Sequence, residues 1–294
     1  MELRHIRYFL AVAEEHNFTR AALRVGIGQP PLSQQIRDLE REIGAPLFYR
    51  RAHGAELTEA GHAFLEEVKS ILPQTEQAKT AARRAARGEI GRLRVSFTGS
   101  ASFHPRVSRL IRQFRRGYPS VELTLIEANT EQQIDLLGKG GMDAGFVRTA
   151  QDSLDGLRLL RFSDEPMVMV VPSAHPLAVR QSIPLSALHA EPFILCPREV
   201  GLDLYDEVIR HCRASGFVPH VVQEAPQMAS VVNLVATELG VSIVPSSMAQ
   251  VHVEGVTYVP FCGAAPVAHL ALATRRGERS VAVRNFLSLA QADV

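Results

Sequence analysis

The chain is poor in what many chemistries require. Its 294 residues include three cysteines, Cys196, Cys212 and Cys262. An odd, widely spaced set is no disulfide framework and points to reduced thiols in a cytoplasm. No CxxC pair occurs, so a thiolate zinc site is unsupported, and three ordinary semi-buried thiols account for the set better than a peroxide-sensing pair. The 11 histidines contain no HExxH, and no GxSxG elbow or nucleophile–base spacing is present. The glycine-rich run from Gly138 to Gly141 lacks P-loop spacing and reads as a loop that ends a helix. Charge of one sign is missing too. Lys and Arg total 32 against 31 Asp and Glu, a formal net charge of +1. Affinity for nucleic acid must therefore come from a local patch. No apolar run is long enough to span a bilayer, and MELRHIRYFL is too charged for a signal peptide. The expectation is a cytoplasmic chain with no membrane partner, no metal, no cofactor and no catalytic residues.

What is present is apolar periodicity, with 46% hydrophobic residues, ample for two or three cored domains. Leu3, Ile6, Phe9, Leu10 and Ala13 give a first amphipathic helix with Arg4 and Arg7 on its polar side. The stretch from Asn17 to Arg51 then reads as two helices and a tight turn. Thr19 is the expected N-cap of TRAALRV, Gly26 and Gly28 break that helix, and Pro30 and Pro31 open the next. Leu32, Ile36, Leu39 and Ile43 recur at helical spacing and face inward. Ser33, Gln34, Arg37 and Arg41 fall on the other side, as reading the major groove requires. Gly44 stops this helix, Leu47 and Phe48 are core candidates, and Tyr49 to Gly54 form a hairpin.

FTRAA, QPPLSQQI, LE, IGAPLFYR and LTEAG (Leu57 to Gly61) occur in order, and the stretch resembles the winged helix-turn-helix of LysR-type transcriptional regulators. The resemblance covers the whole chain. It implies a partnership with double-stranded DNA through Gln29, Pro30, Pro31, Ser33, Gln34 and Arg37 near the groove, with Arg50 and Arg51 along the backbone. It also implies a ligand-responsive regulator, an activator of small-acid or aromatic catabolism acting with RNA polymerase. A solute-binding protein is the alternative reading of the C-terminal half alone.

Thr58 caps a long helix with Glu59 in its first turn, running to about Arg87. Leu57, Phe64, Ile71, Ala78 and Ala85 recur in sevens, with Gly61, Val68, Thr75 and Ala82 between them. That pattern favours a partner helix, with a kink expected at Pro73. The expected seam of a dimer, or of a dimer of dimers, is Leu57, Phe64, Val68, Ile71 and Ala78. Beyond a hinge from Arg87 to Gly91, strand and helix signals alternate as in an α/β sheet with helices on both faces. Strand ends carry Gly99, Ser100, Ala101 and Ser102, then Thr130, then Arg148, groups that suit a carboxylate.

The expected fold class is thus α/β, with an N-terminal winged helix-turn-helix, a long linker helix and a C-terminal domain. That domain resembles the two-lobed, periplasmic-binding-protein-like effector domain of LysR regulators. The expected bounds are 1–58, 59–88 and 89–294, with lobe I at 89–162 and 268–294 and lobe II at 163–267. The chain is similar to the subgroup that answers to muconate-like intermediates. That likeness adds Leu204, Tyr205, Gln227 and Met228 on the far side of a cleft holding a small carboxylate effector.

Overall fold

The computed structural model describes residues 1–51 and 54–292. It divides into two compact units, Met1–Arg84 and Ala85–Val294. Ala52 and His53, expected in the hairpin, lie outside the described residues.

The first unit opens with α1 (Leu3–Glu15), α2 (Phe18–Val25) and α3 (Gln29–Ile43). Asn17, not Thr19, caps α2. Its extended backbone lets its side-chain oxygen accept from the amides of Thr19 and Arg20, which places Thr19 inside the helix. Gly26 and Gly44 end α2 and α3 in the left-handed region at φ 76° and 82°, where a side chain would be strained. Phe9, Leu32, Ile36, Leu39 and Leu47 are sealed in one core. Two expectations for α3 fail at the margins of its apolar stripe. Ile43 is 39% exposed because it ends the helix. Ser33 is buried, its hydroxyl accepting from Gln29 Nε2 at 2.9 Å.

A two-stranded ribbon, β1 (Phe48–Arg51) against β2 (Gly54–Leu57), follows. The long helix is two helices, α4 (Glu59–Val68) and α5 (Ile71–Ala86), broken at Lys69 and Ser70. The break falls ahead of Pro73 because a proline ring clashes with the carbonyl four residues earlier; restarting the helix leaves Pro73 in a first turn, where its missing N–H costs nothing. The heptad reading is corrected with it. Leu57 lies on β2, Val68 is buried in the winged core, and Phe64 meets Phe9 edge-on at 4.9 Å. Ile71 packs half-buried on the same core. These residues serve their own domain, and Ala78 is the seam residue left exposed.

The second unit runs β3 (Gly91–Phe97), α6 (Gly99–Ser102), α7 (Pro105–Gly117), β4 (Val121–Glu127), α8 (Thr130–Gly138) and β5 (Ala144–Val147). It continues with β6 (Leu157–Pro172), β7 (Pro192–Leu195), α9 (Leu202–Ala214), β8 (His220–Glu224), α10 (Met228–Val235), β9 (Ser242–Pro245), β10 (Val256–Pro260), β11 (Val267–Arg275) and α11 (Val281–Ala292). β3 pairs in parallel with β4 and β5, while β11 joins β5 antiparallel. The 16-residue β6 explains the two cores. Its first part pairs with β11 from Leu157 to Pro166, and its last part lies between β9 and β10. One core gathers Leu93, Val95, Leu110, Phe114, Phe146 and Phe286; another gathers Met167, Met169, Phe193, Val208 and Ile243. Two lobes thus share crossing strands. α7 alternates Val107, Leu110 and Phe114 with arginines, so one face must bury and the other must meet water.

Candidate functional site

Two surfaces stand out. On α3, Gln29, Pro30, Pro31, Gln34, Arg37 and Arg41 are exposed. Arg37 donates to Gln34 Oε1 at 2.8 Å, Gln34 Nε2 donates to Asp38 at 2.9 Å, and Arg41 pairs with Asp38 at 3.0 Å. These contacts are solvent-exposed and worth little, so the donors are available to a stronger acceptor. Ser33 lies beneath this face, tied to Gln29.

The ribbon is fixed to α3 by a residue that the reading of single positions missed. Glu40 accepts from the amides of Leu47 and Phe48 at 2.9 and 3.2 Å and pairs with Arg50 at 3.7 Å. A carboxylate between two apolar helix positions, in the LE of the motif, was the available signal. Arg50 lies over the Phe18 ring at 5.3 Å and Arg51 over Tyr49 at 5.9 Å. Both guanidinium groups are thereby held on stems rather than left to swing. Arg51 also pairs with the exposed Glu56.

The second surface is a cavity of about 740 Å³ between the two lobes of the second unit. Gly99, Ser100, Thr130, Arg148, Leu204, Tyr205, Gln227 and Met228 line it. Ala101 does not. It is fully buried in the first lobe's core, as a small apolar residue inside a four-residue helix should be. Ser102 does not line it either, since its hydroxyl donates back to the Gly99 carbonyl at 2.6 Å. The Thr130 hydroxyl is engaged with the Arg148 backbone, accepting from its amide at 3.3 Å.

Arg148 departs from its expected role as free positive charge. Its side chain is 3% exposed and forms an ion pair with the Glu165 carboxylate at 2.5 Å. Its Nε donates to Ser100 Oγ at 3.2 Å. Burial pulls the guanidinium below its ordinary value, and Glu165 works against that shift. Glu165 in turn accepts from the Ser247 amide at 3.0 Å. A buried cation needs such a partner, and once paired it has little charge to offer a carboxylate.

Several cavity residues were not singled out from sequence. Thr98 Oγ1 and Ser242 Oγ are buried without a hydrogen-bond partner, and both residues line the cavity. Thr98 directly follows β3 and opens the TGSAS run, where it was legible; Ser242 is a lone hydroxyl in an apolar strand. Asp203 lines the same space and accepts from the Ala150 amide at 3.2 Å. Cys196 is also there, but burial pushes its thiol up to about 11, and that of Cys212 to about 12. Burial thus disfavours, in both, the thiolate that peroxide sensing uses.

Comparison with known proteins follows the same two surfaces. Residues 3–62 match the family described as bacterial regulatory helix-turn-helix protein, lysR family. Residues 86–294 match the LysR substrate binding domain. The regulator BudR of Raoultella terrigena is 39% identical, covering 98% of this chain and 100% of its own length. The Hca operon transcriptional activator HcaR of Escherichia coli (strain K12) is 35% identical over 99% of this chain and 97% of its own. Full-length CbnR complexed with target DNA superimposes with a TM-score of 0.88 at 27% identity, covering 99% of both chains.

Proposed function

This chain belongs to the LysR family of transcriptional regulators, and we propose that α3 reads an operator while the lobed unit binds the effector that controls it. The observation carrying this reading is the combination in one chain. An exposed row of hydrogen-bonding side chains lies on α3, and an interlobe cavity holds partnerless buried hydroxyls. A solute-binding protein needs the second but has no use for the first. Among the described residues no nucleophile–base constellation accompanies the cavity, and we take the protein to be no enzyme.

Gln34 and Arg37 read base edges from the major groove, with Gln29, Pro30 and Pro31 at the helix entrance and Ser33 setting Gln29 from below. Arg50 and Arg51 follow the phosphate backbone. An effector that bridges the lobes shifts their equilibrium only by its differential affinity for the two arrangements. A change in lobe orientation, passed through α5, alters how paired winged units hold DNA, and so how RNA polymerase is engaged. The names of these relatives point to no common effector, so the ligand's chemistry rests on the cavity rather than on the muconate-responsive subgroup.

Gel shifts on the upstream intergenic DNA test the reading. Gln34→Ala removes a bidentate partner for adenine, worth about 1–3 kcal/mol of discrimination, and relaxes sequence preference. Arg51→Ala weakens all sequences alike and flattens the salt dependence. Parent-like binding by both variants would show the docking to be wrong.

A further inference from the structure

We propose that the interlobe cavity takes a small ammonium-bearing molecule with an apolar body, an amine or an amino acid, rather than a simple carboxylic acid. The proposal rests on the reading of this cavity as the effector site. Four carboxylates line it, Glu127, Glu131, Glu199 and Asp203, against two arginines, Arg148 and Arg198. Each arginine already has an acid outside the lining: Arg148 pairs with Glu165, and Arg198 with Asp206 at 2.7 Å. The cavity lining therefore carries an excess of acids, with Glu127, Glu131 and Glu199 exposed and Asp203 accepting from the Ala150 amide. The positive ends of two helices at its wall are offset too, since Glu131 stands in the first turn of α8 and Asp203 in that of α9.

The hydrogen-bonding groups point the same way. Ser242 is 1% exposed and its hydroxyl has no partner; the Thr98 hydroxyl is likewise buried and unpaired. Thr98 follows β3 in the first lobe and Ser242 lies on β9 in the second, so the cavity has an unpartnered hydroxyl on each side. The Glu127 carboxylate makes no hydrogen bond or ion pair with a described residue, and its Oε1 lies over Gly99, where a Cβ would come within 2.9 Å of it. An ammonium has three donors and no acceptor. Two hydroxyl oxygens and a free carboxylate are the complement of such a group. A carboxylate placed there would gain two hydroxyl donors but meet Glu127 with like charge. Apolar wall is supplied by Ile134, Leu154, Met167 and Ile243, which suits a branched or aromatic body.

Calorimetric titration of the full chain with matched series on one skeleton decides the matter. Leucine, isoamylamine, isoamyl alcohol and isocaproate form one series; phenylalanine, phenethylamine and hydrocinnamate form another. The expected result is binding by the amino acid or the amine of at least one series, more tightly than by the matched acid. Glu127→Gln, at an exposed position, should weaken that binding at least tenfold and weaken binding of isoamyl alcohol by less, since the alcohol loses an acceptor but no opposite charge. Ser242→Ala should weaken it as well. Acids that bind as tightly as the matched amine or amino acid, no binding by any amine or amino acid of either series, or an unchanged affinity in Glu127→Gln would each overturn the proposal. Operator gel shifts run beside each titration separate the two readings. An acid that binds and alters the operator complex leaves the effector site standing and removes only the amine. An amine that binds without altering that complex keeps the amine site and removes its effector role.

Discussion

At the scale of single residues, Arg148 shows how position and role separate. Its place at the end of a buried strand could be read from the chain, and it does line the cavity. Its partner could not. Glu165 reaches it only because β6 and β5 both pair with β11, an alignment set by strand register rather than by any local pattern. Removing one member of such a pair leaves an uncompensated buried charge. Arg148→Ala should therefore destabilise the second unit by about 3–5 kcal/mol, measured by urea denaturation. The paired change Arg148→Met with Glu165→Leu should recover most of that loss, because the desolvation cost of both charges disappears together. A single variant as stable as the parent would show that the pair is not held in solution. The same logic explains why Ser242 was harder to find than Ser100. A hydroxyl without a partner looks like any other until burial is known.

At the scale of elements, helices and strands were largely legible, because their apolar periods are long and their stops are glycines and prolines. What was not legible was which apolar face serves which core. The sevens from Leu57 to Ala85 look continuous, yet the first half packs inward on the winged core and only the second half is free. A heptad repeat and the stripe of an ordinary packed helix coincide over three turns and part only over longer spans. Pro73 marked the dividing point, but its clash acts four residues upstream, so the break falls at Lys69 and Ser70. Gly61 is the sharpest constraint on how α4 meets the ribbon. A Cβ there would lie 2.1 Å from the Leu47 carbonyl oxygen, which is backbone and cannot turn aside. Gly61→Ala should lower the melting temperature of the winged unit, costing about 1–3 kcal/mol as overpacking does, and should weaken operator binding in step. An unchanged melting temperature would mean that α4 sits farther from Leu47 than 2.1 Å implies.

At the scale of the whole molecule, α5 is the unsolved surface. It runs 16 residues, none fully buried; Ile71 and Leu72 pack half-buried on the winged core, and its alanines are exposed. Its length is about 24 Å at 1.5 Å per residue, and an isolated helix of that size is marginal in water. Ala78, Ala82 and Ala85 are exposed along it, and small residues at this spacing admit a second helix at close range. We propose the α5 of another copy as the partner, which would join two winged units. Two such units on one operator gain from effective concentration, since the second contact becomes intramolecular. Ala78→Asp with Ala82→Asp should set like charges against each other at that contact without touching either folded core. Sedimentation should then show a smaller assembly, and operator affinity should fall although the α3 surface is intact. Thermal melts of the winged unit and of the lobed unit should stay where they are, which separates lost pairing from lost folding. If the assembly keeps its size, α5 is not the seam, and the pairing of winged units must run through another face.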